Sequence, residues 1–256
     1  MVVGIEKFRE FFKDYPSSYV IIGGTASDII IDDAGLTPRA TRDIDIILVI
    51  EVLSNEFVKQ FWHFIQAGKY NTRQKSSNLH NCYRFSNPKT AGFPAQLELF
   101  SRLPDVLDKD ENRHLTPIPV KEDLSSLSAI LLNDDYYYFT LDHSKIMDEM
   151  QLANPEALIC LKAIAYMDNK KRKEEGANIN RRDVVKHKND VFRLALMLAP
   201  ENTFKLPETI KTNMLAFANT VKNNLPENAI FKEMGAGNVD VEALFGQLLK
   251  NFNLNS

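Results

Sequence analysis

At 256 residues, with 44% apolar and 25% charged side chains and a net charge of −3, the chain is long enough for one large domain or two modest ones around a substantial core. The slight acidity excludes a protein that coats nucleic acid through its overall charge, so any RNA contact has to use a local basic patch. Its two cysteines, Cys82 and Cys160, are far apart and lack metal-ligand spacing; they imply no disulfide framework and fit a reducing cytoplasm.

No charged-then-apolar leader is visible at the start, where Lys7, Glu10 and Lys13 interrupt any candidate. No apolar run reaches the length a bilayer requires. The expectation is a soluble, cytoplasmic protein with no membrane partner. Residues 4–14 place Ile5, Phe8, Phe11 and Phe12 at helical spacing, opposite Glu6, Lys7 and Lys13, which predicts a short amphipathic helix. Tyr15-Pro16-Ser17-Ser18 ends it.

The next stretch carries the chemistry. An apolar β-type run, Tyr19 to Ile22, breaks at Gly23-Gly24, and Thr25-Ala26-Ser27-Asp28 restarts the chain as a helix expected over 26–31. After a loop marked by Gly35 and Pro38, a second β-type run over 42–50 alternates Asp43 and Asp45 with Ile44 and Ile46. Residues i and i+2 of a strand share a face, so the two carboxylates project together while the isoleucines enter a core. Neighbouring carboxylates repel unless a cation lies between them. Such oxygens suit Mg²⁺, which takes one or two carboxylates and completes its shell with water and substrate phosphates. Glycine lets the backbone approach a phosphate closely, and the amides of a helix start attract an anion. The pattern predicts a metal–triphosphate site, with Gly23, Gly24 and Thr25 holding the triphosphate by backbone N–H and hydroxyl contacts.

Gly23-Gly24 followed by Asp43-Ile44-Asp45-Ile46 resembles the signature of the polymerase-β-type nucleotidyltransferase superfamily. The longer run, Gly-Gly-x-Ala and then Arg39-x-Thr41-x-Asp43-x-Asp45, is similar to the AbiEii toxin family, the toxin halves of bacterial abortive-infection and toxin–antitoxin systems. The resemblance adds Arg39 and Thr41 to the nucleotide-binding set.

Residues 55–67 predict a helix with Phe57, Val58, Phe61, Trp62 and Ile65 on its apolar stripe; Trp62 and His63 are read as structural. Two β-type runs follow, over 81–86 and 95–100, joined through Pro88 and Gly92. In the second, Glu98 stands between Leu97 and Leu99, and an acid there is costly unless paired or bound to a cation. The superfamily places a third metal-binding carboxylate on a later strand, often Asp, and the resemblance assigns that place to Glu98.

Residues 101–135 are poorly informative; 115–119 and 123–132 allow a short strand and a helix or further strands. Tyr136 to Leu141 is aromatic and predicts another strand. From about residue 145 the character turns helical. Asn154-Pro155-Glu156 reads as an N-cap, a proline at the first helical position and an acid in the first turn. The helix runs on through Met167, with Lys162 among apolar neighbours. The charged segment 168–179, with Lys170, Lys171, Arg172 and Lys173, reads as a solvated helix end and loop or as a local RNA-facing patch.

The run from Arg181 to Leu194 resembles the downstream element of the AbiEii family, with Lys162 matching a preceding helical lysine and Lys186, His187 and Asp190 matching the element itself. A lysine from a second domain can neutralise charge on the β- and γ-phosphates and on the leaving pyrophosphate, and Lys162 or Lys188 fits that role. Asp190, four residues after Lys186, can also orient it by a salt bridge on one helix face. Helices around 208–223, 229–234 and 239–252 complete the chain.

The expectation is an α+β protein: a nucleotidyltransferase-fold mixed sheet with flanking helices over 1–145, then a helical C-terminal domain over 146–256, the site lying in the cleft between them. Asp43, Asp45 and Glu98 would bind Mg²⁺, and Glu98, Asp43 or both would accept the acceptor's proton. The resemblance implies transfer of an NMP from a nucleoside triphosphate to RNA (tRNA in some relatives) or protein, by a toxin with a cognate antitoxin. A small-molecule nucleotidyltransferase of the aminoglycoside-modifying kind and a non-catalytic nucleotide-binding protein are the alternatives.

Overall fold

The computed structural model describes residues 2–72, 82–102, 130 and 133–254. They fold as α+β, in two compact units. The described residues within 1–28, 40–124 and 144–153 form the first, and those within 29–39, 125–143 and 154–256 the second.

The first unit is built on a seven-stranded mixed sheet, ordered β3-β4-β5-β2-β1-β7-β6. Its strands are β1 (Tyr19–Ile22), β2 (Asp43–Leu48), β3 (Asn71–Thr72), β4 (Cys82–Ser86), β5 (Gln96–Phe100), β6 (Ser144–Met147) and β7 (Met150–Ala153). Period-2 alternation gives the sheet an aromatic face. Tyr19 pairs with Leu48; Leu99 pairs with Ile46 on one side and Tyr83 on the other, and Leu97 likewise with Ile44 and Phe85, all buried. Helices α1 (Ile5–Phe12) and α3 (Asn55–Gly68) cover it. Phe8 and Phe57 stand against Tyr19, and Phe61 against Phe85, at centroid separations of 5.3, 6.4 and 5.4 Å. Ser54 caps α3 by accepting from the Phe57 N–H at 3.1 Å.

Helix α2 (Gly23–Asp33) leaves β1 with no intervening loop, three residues earlier than the expected start; its last part, from Ile29, belongs to the second unit. The other described elements of that unit are helices: α4 (Asp134–Asp142), α5 (Pro155–Glu174), α6 (Arg181–Ala195), α7 (Glu208–Val221), α8 (Ala229–Glu233) and α9 (Val241–Asn251). Leu158, Leu161, Val191, Phe192, Phe217, Phe231 and Leu248 are buried in its core.

Two segments differ from the expectation. Tyr136 to Leu141 is helix α4, not a strand. Asn133 accepts from the N–H groups of Asp135 and Tyr136, and Asp134 and Asp135 occupy the positive first turn. That cap outweighs the β-preference of the aromatic residues, and Tyr136, Tyr137 and Phe139 are buried in the helical setting. Residues 144–153 are a β-hairpin rather than the beginning of the helical part. Its two-residue loop, Asp148-Glu149, takes positive φ at both positions, 46° and 63°, matching the twist of the strands. Through Ile21 and Leu152, β7 joins β1 in parallel, which places the hairpin with the sheet. The elements expected over 115–119 and 123–132 fall outside the described residues, Ile130 apart.

Candidate active site

The β1–α2 junction and the start of β2 are locked together by short polar contacts. Gly23 takes φ +68°, and a Cβ there would overlap Asp45 Oδ2. A Cβ on Gly24 would stand 2.7 Å from Thr41 Oγ1. The glycine pair therefore gives room to the Asp45 carboxylate and the Thr41 side chain over the first turn of α2. Thr25 is fully buried, and its hydroxyl donates to the Asp43 carbonyl at 2.5 Å. Ser27 Oγ donates back to the Gly23 carbonyl at 2.8 Å. Buried Asp28 accepts from the Thr41 N–H at 2.6 Å through Oδ2. Between Arg39 and Thr41, Ala40 holds a left-handed φ of 57°, a strained conformation of the kind that clusters at functional sites. Thr41 Oγ1 is buried with no hydrogen-bond partner among the described residues.

On the face opposite the aromatic core, Asp43 and Asp45 are half-buried. Strand register sets Asp43 beside Gln96 and puts Asp45, Glu98 and Arg84 in one row across β2, β5 and β4. Glu98 is buried at 6% exposure, and its Oε1 accepts from Arg84 Nε and Gln96 Nε2, each at 2.8 Å. Burial pushes the Glu98 carboxyl up and the Asp43 charge adds to this, while the Arg84 guanidinium opposes it. Among the described residues no group of three or more His, Cys, Asp and Glu side chains is gathered to hold a metal ion. The pair on β2 nonetheless suits Mg²⁺: two hard oxygen ligands on one face, half open, with space kept for Asp45 by the missing Cβ of Gly23.

A second cluster lies wholly in the helical unit. Lys162 of α5 donates to Asp190 Oδ2 of α6 at 3.0 Å, and Arg193 Nη1 reaches Asp190 Oδ1 at 3.2 Å. Arg39 Nη2 stands 3.5 Å from Asp190 Oδ2, and Arg193 Nη2 also meets Glu233 at 3.3 Å. Lys162, Asp190 and Arg193 are all buried. Burial alone would raise the Asp190 carboxyl, but Lys162, Arg39 and Arg193 outweigh it and hold the carboxyl down at about 2. Burial, with Lys162, Lys186 and Arg39 adding, pushes His187 down to about 3; its Nδ1 has no hydrogen-bond partner among the described residues. Lys188 is engaged elsewhere, donating to the Asn224 carbonyl at 2.7 Å and to Asn224 Oδ1 at 3.3 Å. Burial lowers its pKa.

Of the residues singled out in the sequence, Gly23, Gly24, Thr25, Thr41, Asp43, Asp45 and Glu98 belong to the sheet unit, and Arg39, Lys162 and Asp190 meet in the helical one. Asp28, Arg84 and Arg193 join them without having been anticipated. Asp28 had a signal, an acid amid the apolar residues of α2, and Arg193 follows Asp190 at helical spacing. Arg84 had none, because only register places it. In the basic segment 170–173, Lys170 pairs with Glu174 at 3.4 Å, Lys171 with Glu175 at 3.9 Å, and Arg172 with Asp168 at 3.9 Å.

No family model matches the chain, and no curated protein matches it in sequence. Among solved structures it is similar to an antigenic nucleotidyltransferase-like protein from Paracoccidioides brasiliensis, at 14% identity over 90% of this chain and 94% of that one, with a TM-score of 0.45. Among the described residues no helix is long and apolar enough to cross a membrane.

Proposed function

We propose that this chain is a Mg²⁺-dependent nucleotidyltransferase that moves an NMP from a nucleoside triphosphate to an acceptor hydroxyl. The observation that carries the reading is the pair Asp43 and Asp45, on one face of β2, with Asp45 set over the first turn of α2 in space left by Gly23. Asp43 and Asp45 would hold the ion, with Glu98 as the third carboxylate of that face. When bound, Mg²⁺ neutralises triphosphate charge and lowers the pKa of the attacking hydroxyl. The hydroxyl oxygen bonds to the α-phosphorus, the α–β phosphate bond breaks, pyrophosphate leaves, and the proton passes to Glu98, Asp43 or both together. The first N–H groups of α2 have no intrahelical acceptor and favour a phosphate. The Thr25 hydroxyl and the Asp28 carboxylate hold the β2 start and Thr41 in register with them.

The run Arg39-x-Thr41-x-Asp43-x-Asp45 and the downstream Lys162, Lys186, His187 and Asp190 support a toxin of the AbiEii kind, acting on RNA or protein and neutralised by an antitoxin. One observation favours a small-molecule acceptor instead: the basic segment 170–173 is balanced by acids on its own helix and the turn after it.

Incubation with each nucleoside triphosphate labelled at the α-phosphorus, Mg²⁺ and total bacterial RNA tests the proposal, beside Asp43→Ala and Asp45→Ala. Label on RNA with the native chain alone establishes the enzyme and names its nucleotide. Label on protein or on an added small molecule keeps the chemistry and changes the acceptor. No transfer, together with no Mg²⁺-dependent triphosphate binding, overturns it.

A further inference from the structure

Glu98 shares a sheet face with two other acids, yet the cation it meets is Arg84 of the neighbouring strand. Register sets Asp45, Glu98 and Arg84 in one row, and Arg84 Nε and Gln96 Nε2 both use the single oxygen Oε1. The two partners differ in exposure. The Glu98 side chain is 8% exposed, whereas the Arg84 side chain is 33% exposed. Its long stem can carry the guanidinium toward water while the carboxylate stays in place. A buried carboxylate needs a counter-charge, and a guanidinium and a metal ion are alternative ways to supply one.

Building on the nucleotidyltransferase reading, we propose that Arg84 is a resident counter-ion for Glu98 that competes with a divalent cation for this carboxylate and so sets the cation affinity of the Asp43–Asp45–Glu98 face. While Arg84 holds Oε1, its guanidinium neutralises the Glu98 charge that a divalent cation would otherwise draw on. Displacing Arg84 releases the third ligand and adds one negative charge to the site. Affinity of oxygen sites for hard cations rises with ligand charge.

The test is Mn²⁺ binding to the full chain without nucleotide, read from the electron paramagnetic resonance signal of the free ion. Arg84→Met keeps the apolar stem and removes the charge, and should tighten binding roughly tenfold or more. Glu98→Gln should cancel the gain in Arg84→Met, and Asp43→Asn with Asp45→Asn should abolish binding. Native-like circular dichroism qualifies each variant. Should Arg84→Met not fold, Arg84→Gln, which keeps a neutral donor for Glu98, should give a smaller gain. If the native chain binds Mn²⁺ and the folded Arg84 variant binds it equally or more weakly, the counter-ion role is wrong and the metal reading stands. If neither binds, the metal reading itself fails and takes the counter-ion role with it.

Discussion

Alanine at Gly23 separates the two things that residue does. At φ +68° an L-residue pays a left-handed penalty of about 1–2 kcal/mol. Its Cβ would also overlap Asp45 Oδ2 and stand 2.8 Å from Asp45 Cγ and 3.1 Å from Asp45 Cβ. Crowding of that kind costs about 1–3 kcal/mol, so Gly23→Ala should destabilise by about 2–5 kcal/mol. Gly35 is the internal control: its φ is +74°, but a Cβ there meets nothing within 4 Å, so Gly35→Ala should show the backbone penalty alone. Urea unfolding followed by circular dichroism reads the difference as a shift in midpoint at constant slope. Mn²⁺ binding at low temperature adds a second readout, since Gly23→Ala displaces Asp45 and should weaken binding while Gly35→Ala should not. A Gly23→Ala loss no greater than that of Gly35→Ala would refute the claim that Asp45 occupies the space over the helix start.

The helical unit should lose stability in acid before its carboxylates titrate. His187 is held neutral in the fold, with its pKa pushed down to about 3; the unfolded chain protonates first, so this contribution is full above about pH 6.5 and is lost as the pH falls toward 3. Between pH 6.5 and 5 the loss should be about 2 kcal/mol, and His187→Gln should flatten the urea midpoint over that range. Asp190 acts lower, its contribution present above about pH 4 and lost as the pH falls through about 2. Asp190→Asn leaves Lys162 buried without its anion and removes one of the two carboxylates on Arg193; it should cost about 3–5 kcal/mol, a fall in thermal midpoint that Lys162→Met in the same chain should partly restore. Thr25→Val removes the donor to the Asp43 carbonyl and should cost about 1–3 kcal/mol with faster amide exchange at the start of β2, whereas Thr25→Ser should retain the bond.

What the chain declares by itself is what backbone periodicity carries. Asp43-Ile44-Asp45-Ile46 must put two acids on one face of a strand and two isoleucines on the other. The stripes of 5–12 and 55–68 must form amphipathic helices, and Asn154-Pro155-Glu156 must open one. These follow from neighbours a few residues apart, and they suffice to nominate the carboxylate pair. The remainder depends on which strand lies beside which. The row Asp45–Glu98–Arg84 requires a parallel register on one side of β5 and an antiparallel one on the other. The role of the glycine pair appears only when Asp45 and Thr41 fold back over α2. The hairpin of 144–153 is stabilised by a pairing with β1 more than a hundred residues earlier in the sequence, and Asp190 gathers cations from two segments besides its own helix. No local pattern encodes such meetings. They are set by the packing of apolar faces, which fixes register and so decides which polar groups the opposite face brings together.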